Sequence, residues 1–182
     1  MNKRSRLLLV SLTVVVGLSA VGWLIYALLS QPSPATGTLG DPVAAPRSYV
    51  GKVIQAQVME PVVENGKVML KLADVDQANI IRFELTNDLG DPVPMMVYIT
   101  SSGRLYAGDA LCACGCSEFS LAGKALVCSS CRSTYDIETQ KYLSGAAICE
   151  QYPPTSMLPV VQDGLIVISQ SKVLSWRNSQ LQ

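Results

Sequence analysis

Residues 111–131 have the sequence LCACGCSEFSLAGKALVCSSC and contain five of the six cysteines in the chain; the sixth is Cys149. The five form two closely spaced groups, Cys112-Ala-Cys114-Gly-Cys116 and Cys128-Ser-Ser-Cys131. Such groups on two separate turns are the usual way to build a four-thiolate cage, because each tight loop delivers two sulfurs and the intervening hairpin brings the loops together. The spacing therefore predicts a metal or cluster site.

A disulfide framework is the alternative interpretation of the same cysteines. An exported domain permits disulfides. However, Cys-x-Cys spacing is poorly suited to a disulfide between neighbours, and a chain of 182 residues hardly needs three such links. The pattern favours a metal or cluster over disulfides and leaves both open.

The chain contains no histidine. This absence excludes c-type haem attachment, histidine-ligated zinc enzymes, blue copper sites and histidine-based acid–base catalysis. Neither a nucleophilic serine nor a carboxylate pair stands out. The adjacent Met95 and Met96 lie in an apolar run, which favours core packing over copper binding. These absences favour a non-catalytic role and leave an enzymatic one open.

The N-terminal region has the pattern of a membrane anchor. Residues Leu7 to Leu29 carry no charge, and as a helix they would extend about 34 Å, against a bilayer core of about 30 Å. Lys3, Arg4 and Arg6 precede this run, so the positive-inside rule predicts a cytoplasmic N-terminus. A cleaved signal peptide, the alternative, usually has a shorter apolar region. We expect residues 1–29 to form a cytoplasmic stub and a single transmembrane helix at the cell membrane.

The remainder of the chain is expected to be extracytoplasmic. Residues 30–48 are rich in Pro, Ser, Gly and Ala, which predicts a flexible linker, and residues 49–182 would form the folded domain. From Asp41 onward the chain carries 14 acidic and 11 basic residues with no basic stripe, which argues against nucleic acid as a partner.

The folded domain is expected to be mainly β, a sandwich or small barrel. Short runs of β-branched and aromatic residues alternate with turn signals such as Asn65-Gly66. One short helix is expected, at Asp74–Ile80. The predicted strands are Val53–Met59, Lys67–Leu72, Ile80–Leu85, Val93–Thr100 and Leu165–Ser169, and the first two are expected to flank the Asn65-Gly66 turn.

The segment from Cys128 to Ile168 resembles the second half of a Rieske iron–sulfur domain, whose pattern begins C-x-x-H-G-S-x-[FY]-D. Cys131 stands where that pattern has histidine. Upstream, Cys112-Ala-Cys114 matches the Rieske C-x-H box, again with cysteine in place of histidine, and Ser144-Gly145 matches the start of the loop that covers the cluster. The resemblance implies a Rieske-like β scaffold with cysteine at both histidine positions and a cluster of the 2Fe-2S type.

The same region, from about residue 80 to residue 170, is also similar to the FtrD-like family of membrane-anchored iron–sulfur domains. Asp109, the Cys128/Cys131 box, Cys149 and the strand Asp163–Ile168 match the boxes of that family. Two features depart from it: the first box is C-x-C-x-C, and one membrane helix is predicted instead of several. The resemblance implies a role in bacterial iron uptake or membrane electron transfer.

The Rieske resemblance also implies uses for the two remaining cysteines. Some Rieske domains link their cluster loops by a disulfide; Cys116 has the first position for such a link, Ser130 occupies the second, and Cys149 is the replacement partner. A rival assignment places Cys116 or Cys149 on the metal. The ligand set that the first assignment leaves is Cys112, Cys114, Cys128 and Cys131.

These expectations combine into a membrane-anchored electron-transfer protein with a thiolate-ligated iron–sulfur cluster, which would act with redox partner proteins or a membrane complex. One alternative is a metal-binding module holding structural zinc or delivering iron or Cu(I), since thiolates suit all three metals. Another is a disulfide-stabilised accessory subunit of a membrane complex.

Overall fold

The structure is a computed structural model that describes residues 40–180, with side chains described up to Ser175. All of them belong to one unit of the chain, Gly37–Gln182. The predicted membrane anchor and most of the predicted linker lie outside the described residues. Between residues 40 and 180, no helix has the length and apolar character needed to cross a membrane.

The described part of the chain is mainly β, as predicted. It contains three helices: α1 (Leu72–Ala78), α2 (Ala147–Gln151) and α3 (Gln170–Gln180). Its thirteen strands are β1 (Val53–Gln55), β2 (Gln57–Val58), β3 (Val62–Glu64), β4 (Lys67–Lys71), β5 (Ile80–Thr86), β6 (Pro92–Ile99), β7 (Leu105–Asp109), β8 (Phe119–Ala122), β9 (Ala125–Cys128), β10 (Thr134–Asp136), β11 (Tyr142–Ser144), β12 (Val160–Gln162) and β13 (Leu165–Ser169).

The strands form three sheets. One has five strands in the order β1-β8-β9-β10-β11, and the other two have four each, in the orders β12-β13-β4-β3 and β2-β5-β6-β7. Strand β2 pairs with β5 in parallel, whereas the other strand pairs are antiparallel. The five-stranded sheet carries the second cysteine group at the end of β9.

The predicted turn at Asn65-Gly66 is confirmed, but one of its predicted flanking strands is wrong. Both residues have positive φ angles, 51° and 73°, as a tight two-residue hairpin turn requires. The strand before the turn is β3, not Val53–Met59. Pro61 separates the two segments, and β1 and β2 pair instead with β8 and β5.

The other predicted elements fall close to their observed places. Strands β5, β6 and β13 agree with the prediction to within a residue at each end. The short helix α1 begins and ends earlier than predicted, because Asn79 has a φ of 67° and directs the chain into β5. Helices α2 and α3 were not predicted.

Two clusters of buried side chains form the core. The first includes Val68, Phe83 and Met95, and the second includes Met96 together with three of the cysteines. The two methionines are 0% and 1% exposed, so their predicted core packing is confirmed. The second cluster surrounds the cysteines with aromatic and aliphatic side chains.

Residues at the end of the predicted linker pack on the turn before β7. The amide of Val43 donates to the carbonyl of Gly103 at 2.8 Å, and that of Arg47 donates to the carbonyl of Ser101 at 2.9 Å. A side chain at Gly103 would collide with the carbonyl oxygen of Ala44, 2.1 Å from the position of its Cβ. The predicted bounds of linker and domain, 30–48 and 49–182, stay a prediction, with this end of the linker held against the domain.

Candidate metal centre

Two loops at one end of the β8–β9 hairpin carry the two cysteine groups. The first loop joins β7 to β8, and the second joins β9 to β10. Phe119 pairs with Cys128 across the hairpin, and the amide of Ser129 donates to the carbonyl of Glu118 at 2.9 Å. The hairpin therefore brings the two loops side by side, as the spacing predicts.

The first loop is a tight turn. The amide of Cys112 donates to the carbonyl of Cys116 at 2.8 Å, and the amide of Gly115 donates back to the carbonyl of Cys112 at 2.8 Å. Gly115 has a φ of 83°, a conformation that glycine adopts without strain. The two hydrogen bonds fold Cys112, Cys114 and Cys116 into one short loop.

The second loop closes in a similar way. The amide of Cys128 donates to the carbonyl of Ser133 at 2.9 Å, and the amide of Arg132 donates to the carbonyl of Cys128 at 3.2 Å. The thiol of Cys131 also contacts the hydroxyl of Ser133 at 3.2 Å. This loop holds Cys128 and Cys131 on the side that faces the first loop.

Four sulfurs meet between the loops. The Sγ atoms of Cys112, Cys114, Cys128 and Cys131 all lie within 4.8 Å of one another. Cys112 and Cys131 are 3.5 Å apart, and Cys114 and Cys128 are 3.8 Å apart. Two thiolates on one tetrahedral metal, at a metal–sulfur distance of about 2.3 Å, lie about 3.8 Å apart. The spacing of the four sulfurs therefore fits one thiolate-held ion, and the all-thiolate donor set suits an iron–sulfur cluster as well. A cation is needed for four thiolates to share so small a volume.

Cys149 and Cys116 occupy different surroundings. The Sγ of Cys149 lies 3.4 Å from that of Cys112 and 3.8 Å from that of Cys131. The Sγ of Cys116 accepts a hydrogen bond from the amide of Glu118 at 3.3 Å. All six cysteines are free in the structure, and the thiol of Cys149 lies beside those of Cys112 and Cys131. The Cys116–Cys149 disulfide that the Rieske resemblance implies stays a prediction.

The sulfurs differ in exposure and acidity. Cys112 and Cys128 are buried, Cys131 is partly buried and Cys114 is exposed. Burial raises the pKa of the Cys112 thiol, and burial raises the pKa of Cys128 to about 12. Burial also acts on Cys131, but its hydrogen bonds with Ser133 and its neighbours prevail and lower its pKa to about 6. The buried thiols thus need a cation to lose their protons, and Cys131 gives up its proton most readily of these three.

Three residues outside the sulfur group support the site: Ser133 in the second loop, Tyr135 in β10 and Gly145 after β11. The hydroxyl of Tyr135 lies 3.9 Å from the Sγ of Cys112 and donates to the carbonyl of Cys149 at 3.3 Å. The hydroxyl of Ser133 accepts a hydrogen bond from the amide of Ala146 at 3.1 Å. The sequence pattern included these three residues, but it did not reveal what they contact.

Asp109 lies at the end of β7, outside the sulfur group. It is 2% exposed, and its carboxylate accepts a hydrogen bond from the amide of Thr155. Burial raises the pKa of Asp109 to about 7, although the hydrogen bond from Thr155 opposes this shift. Asp109 therefore ties the first loop's supporting strand to the segment that follows α2.

Comparisons with known proteins identify the family. No curated protein matches the chain significantly. Among solved structures, a chain of the "complex of reduced oxygenase and oxidized ferredoxin in carbazole 1,9a-dioxygenase" is similar over 56% of this chain and 93% of that chain, at 23% identity and a TM-score of 0.42. Residues 75–179 match the family model described as "Membrane iron-sulfur containing protein FtrD-like". Because this match spans more than half of the sequence, the chain belongs to the FtrD-like family of membrane iron–sulfur proteins.

Proposed function

We propose that the chain is a membrane-anchored electron-transfer protein whose iron–sulfur cluster is held by Cys112, Cys114, Cys128 and Cys131. The observation that carries this proposal is the convergence of these four sulfurs within 4.8 Å between two hydrogen-bonded loops. Thiolates are the usual ligands of iron–sulfur clusters. Membership of an iron–sulfur family supports an iron–sulfur cluster as the bound group.

The residues around the four sulfurs suit electron transfer. When bound, a cluster of the 2Fe-2S type would supply one-electron chemistry. Buried Cys112 and Cys128 hold one side of the site away from water, whereas Cys114 is exposed to an approaching partner. The proposal includes a Rieske-like arrangement in which Cys114 and Cys131 occupy the places of the two histidines; the two facing loops between antiparallel strands support it.

Metal and sulfide analysis with EPR spectroscopy of anaerobically purified protein tests the proposal. We expect iron and acid-labile sulfide in the wild-type chain. Cys131→Ser should lose most of both, because a missing thiolate opens the site and leaves its loops unpinned. Cys116→Ser is the matched control and should keep its iron, since this sulfur lies outside the group of four and accepts a hydrogen bond from the Glu118 amide. A Cys131→Ser variant with wild-type iron content would refute the ligand assignment.

A single zinc ion is the second candidate, and the small size of the sulfur group favours it. Four sulfurs within 4.8 Å of one another match the spacing of four thiolates on one tetrahedral ion, whereas the thiolates on the two irons of a 2Fe-2S cluster lie farther from one another. A colourless protein that contains one zinc and no sulfide would establish this candidate. It would make the site structural and remove the electron-transfer role.

The proposal also places the chain at the cell membrane. Family membership supports a membrane location. Residues 1–29 would provide the stub and single anchor, 30–48 the linker, and 49–182 an extracytoplasmic domain that meets its redox partners outside the cytoplasm. The absence of a basic stripe is consistent with protein partners and a membrane rather than nucleic acid.

A further inference from the structure

Cys149 forms a second group of sulfurs with two of the proposed cluster ligands. The Sγ atoms of Cys112, Cys131 and Cys149 define a triangle with edges of 3.5, 3.4 and 3.8 Å. Three thiolates around one trigonal metal ion, at about 2.3 Å each, would lie about 4 Å apart. The triangle is close to this size, and Cys149 is absent from the group of four sulfurs.

The position of Cys149 is fixed by contacts with the second loop. Gly145 lies so close to Ser133 that a Cβ at this glycine would be 2.4 Å from the Cα of Ser133. The next residue, Ala146, donates its amide to the Ser133 hydroxyl at 3.1 Å. The hydroxyl of Tyr135 donates a hydrogen bond to the carbonyl of Cys149 at 3.3 Å. These contacts hold the segment from 145 to 149 beside Cys131, so the third thiol is positioned before any metal binds.

Burial and ligand chemistry indicate which ion this triangle suits. Cys149 and Cys112 are 0% and 1% exposed, and Cys131 is only partly buried. The ion would therefore enter past Cys131 and reach a water-poor site made only of sulfur. Soft thiolate ligands select Cu(I), which accepts three-coordinate geometry, whereas zinc prefers four ligands.

We propose that Cys112, Cys131 and Cys149 form a three-thiolate site for Cu(I). This site shares Cys112 and Cys131 with the four-sulfur site, so the two sites cannot be filled at the same time. Binding of Cu(I) transfers any thiol protons to solvent and involves no change of oxidation state. The proposal goes beyond the electron-transfer function and does not depend on which metal or cluster the four sulfurs hold.

Competition with a Cu(I) chelator tests the site. The full-length apo chain, solubilised in detergent and kept reduced without oxygen, is titrated with Cu(I) in the presence of bathocuproine disulfonate. We expect one Cu(I) per chain. Cys149→Ser should weaken the affinity by about 100-fold or more, because loss of even an outer-shell partner costs about 10- to 100-fold. Cys114→Ser should leave the affinity unchanged, and Cys116→Ser is the matched thiol control.

The two cysteine variants separate this proposal from the proposed function. Cys114→Ser should lose the cluster and retain copper, whereas Cys149→Ser should retain the cluster and lose copper. Loss of copper in Cys114→Ser but not in Cys149→Ser would place Cu(I) in the four-sulfur site and overturn the proposal, and equal loss in both variants would overturn it by showing that copper needs sulfurs beyond the triangle. Unchanged copper affinity in Cys149→Ser would overturn it as well, provided that circular dichroism shows a folded chain. Absence of iron and sulfide from the wild-type chain would refute only the electron-transfer function.

Discussion

Gly145→Ala is expected to destabilise the domain and to disturb the metal centre. Gly145 has a φ of 127°, and a Cβ there would lie 2.4 Å from both the Cα and the Oγ of Ser133. Forcing a non-glycine residue into such a backbone conformation costs about 1–3 kcal/mol, and overpacking costs about the same again. Because the colliding Cα belongs to the backbone, the clash is not relieved by a rotamer change. We therefore expect a loss of about 4 kcal/mol in the free energy of unfolding.

Gly115→Ala provides the matched control in the other cysteine loop. Gly115 also has a positive φ, 83°, but no atom lies within 4 Å of its Cβ position. This variant should lose only about 1–2 kcal/mol, the cost of the left-handed conformation. Urea unfolding of both variants in the metal-free state measures the difference, and metal analysis of the variants as purified should show a loss of cofactor in Gly145→Ala alone. Equal destabilisation by the two substitutions would refute the proposed clamp between Gly145 and Ser133.

Three further outcomes are expected. Asp109→Asn should stabilise the domain above pH 7 by up to about 4 kcal/mol. Burial raises the pKa of Asp109 to about 7, so the stability that its protonated carboxyl contributes is complete below pH 4 and is lost as the pH rises through 7. Urea unfolding of both proteins between pH 4 and 8 measures this difference. The midpoint potential of the cluster should lie near −200 mV or lower, since thiolates at Cys114 and Cys131 add negative charge where Rieske centres carry neutral imidazoles. Voltammetry that gives a value above about 0 mV would contradict the all-thiolate cluster. A reporter fused after Gln182 should be active only outside the cytoplasm, and cytoplasmic activity would refute the orientation.

Local sequence signals predicted much of the fold and failed where pairing is long-range. Asn65-Gly66 requires a tight turn whatever surrounds it, so the turn was found correctly. Its strand partner was misassigned because the run Val53–Met59 has the composition of a strand but pairs with two different sheets. Helix α2 has five residues and no side-chain cap, so no local pattern marks it.

The four converging sulfurs were predictable because the pairs are close in sequence and a short hairpin separates them. The position of Cys149 was not predictable from the sequence. It depends on contacts of Gly145 and Ala146 with Ser133, and no spacing rule encodes such contacts. Analogy with Rieske domains implies a disulfide to Cys116, which stays a prediction, and the structure places the thiol of Cys149 beside those of Cys112 and Cys131.

The sulfurs differ in exposure, and this difference indicates the side from which a redox partner would approach the proposed electron-transfer site. Cys112 and Cys128 lie in the second core cluster, among the aromatic rings of Phe119 and Tyr135, whereas Cys114 is exposed at the tip of the first loop. Hydrogen bonds within each loop and the β8–β9 hairpin hold the buried sulfurs in place. A change of charge at the site would therefore cause little structural rearrangement of the protein. A redox partner would therefore approach from the Cys114 side. Cys149, buried beside Cys112 and Cys131, would help to exclude water from the centre.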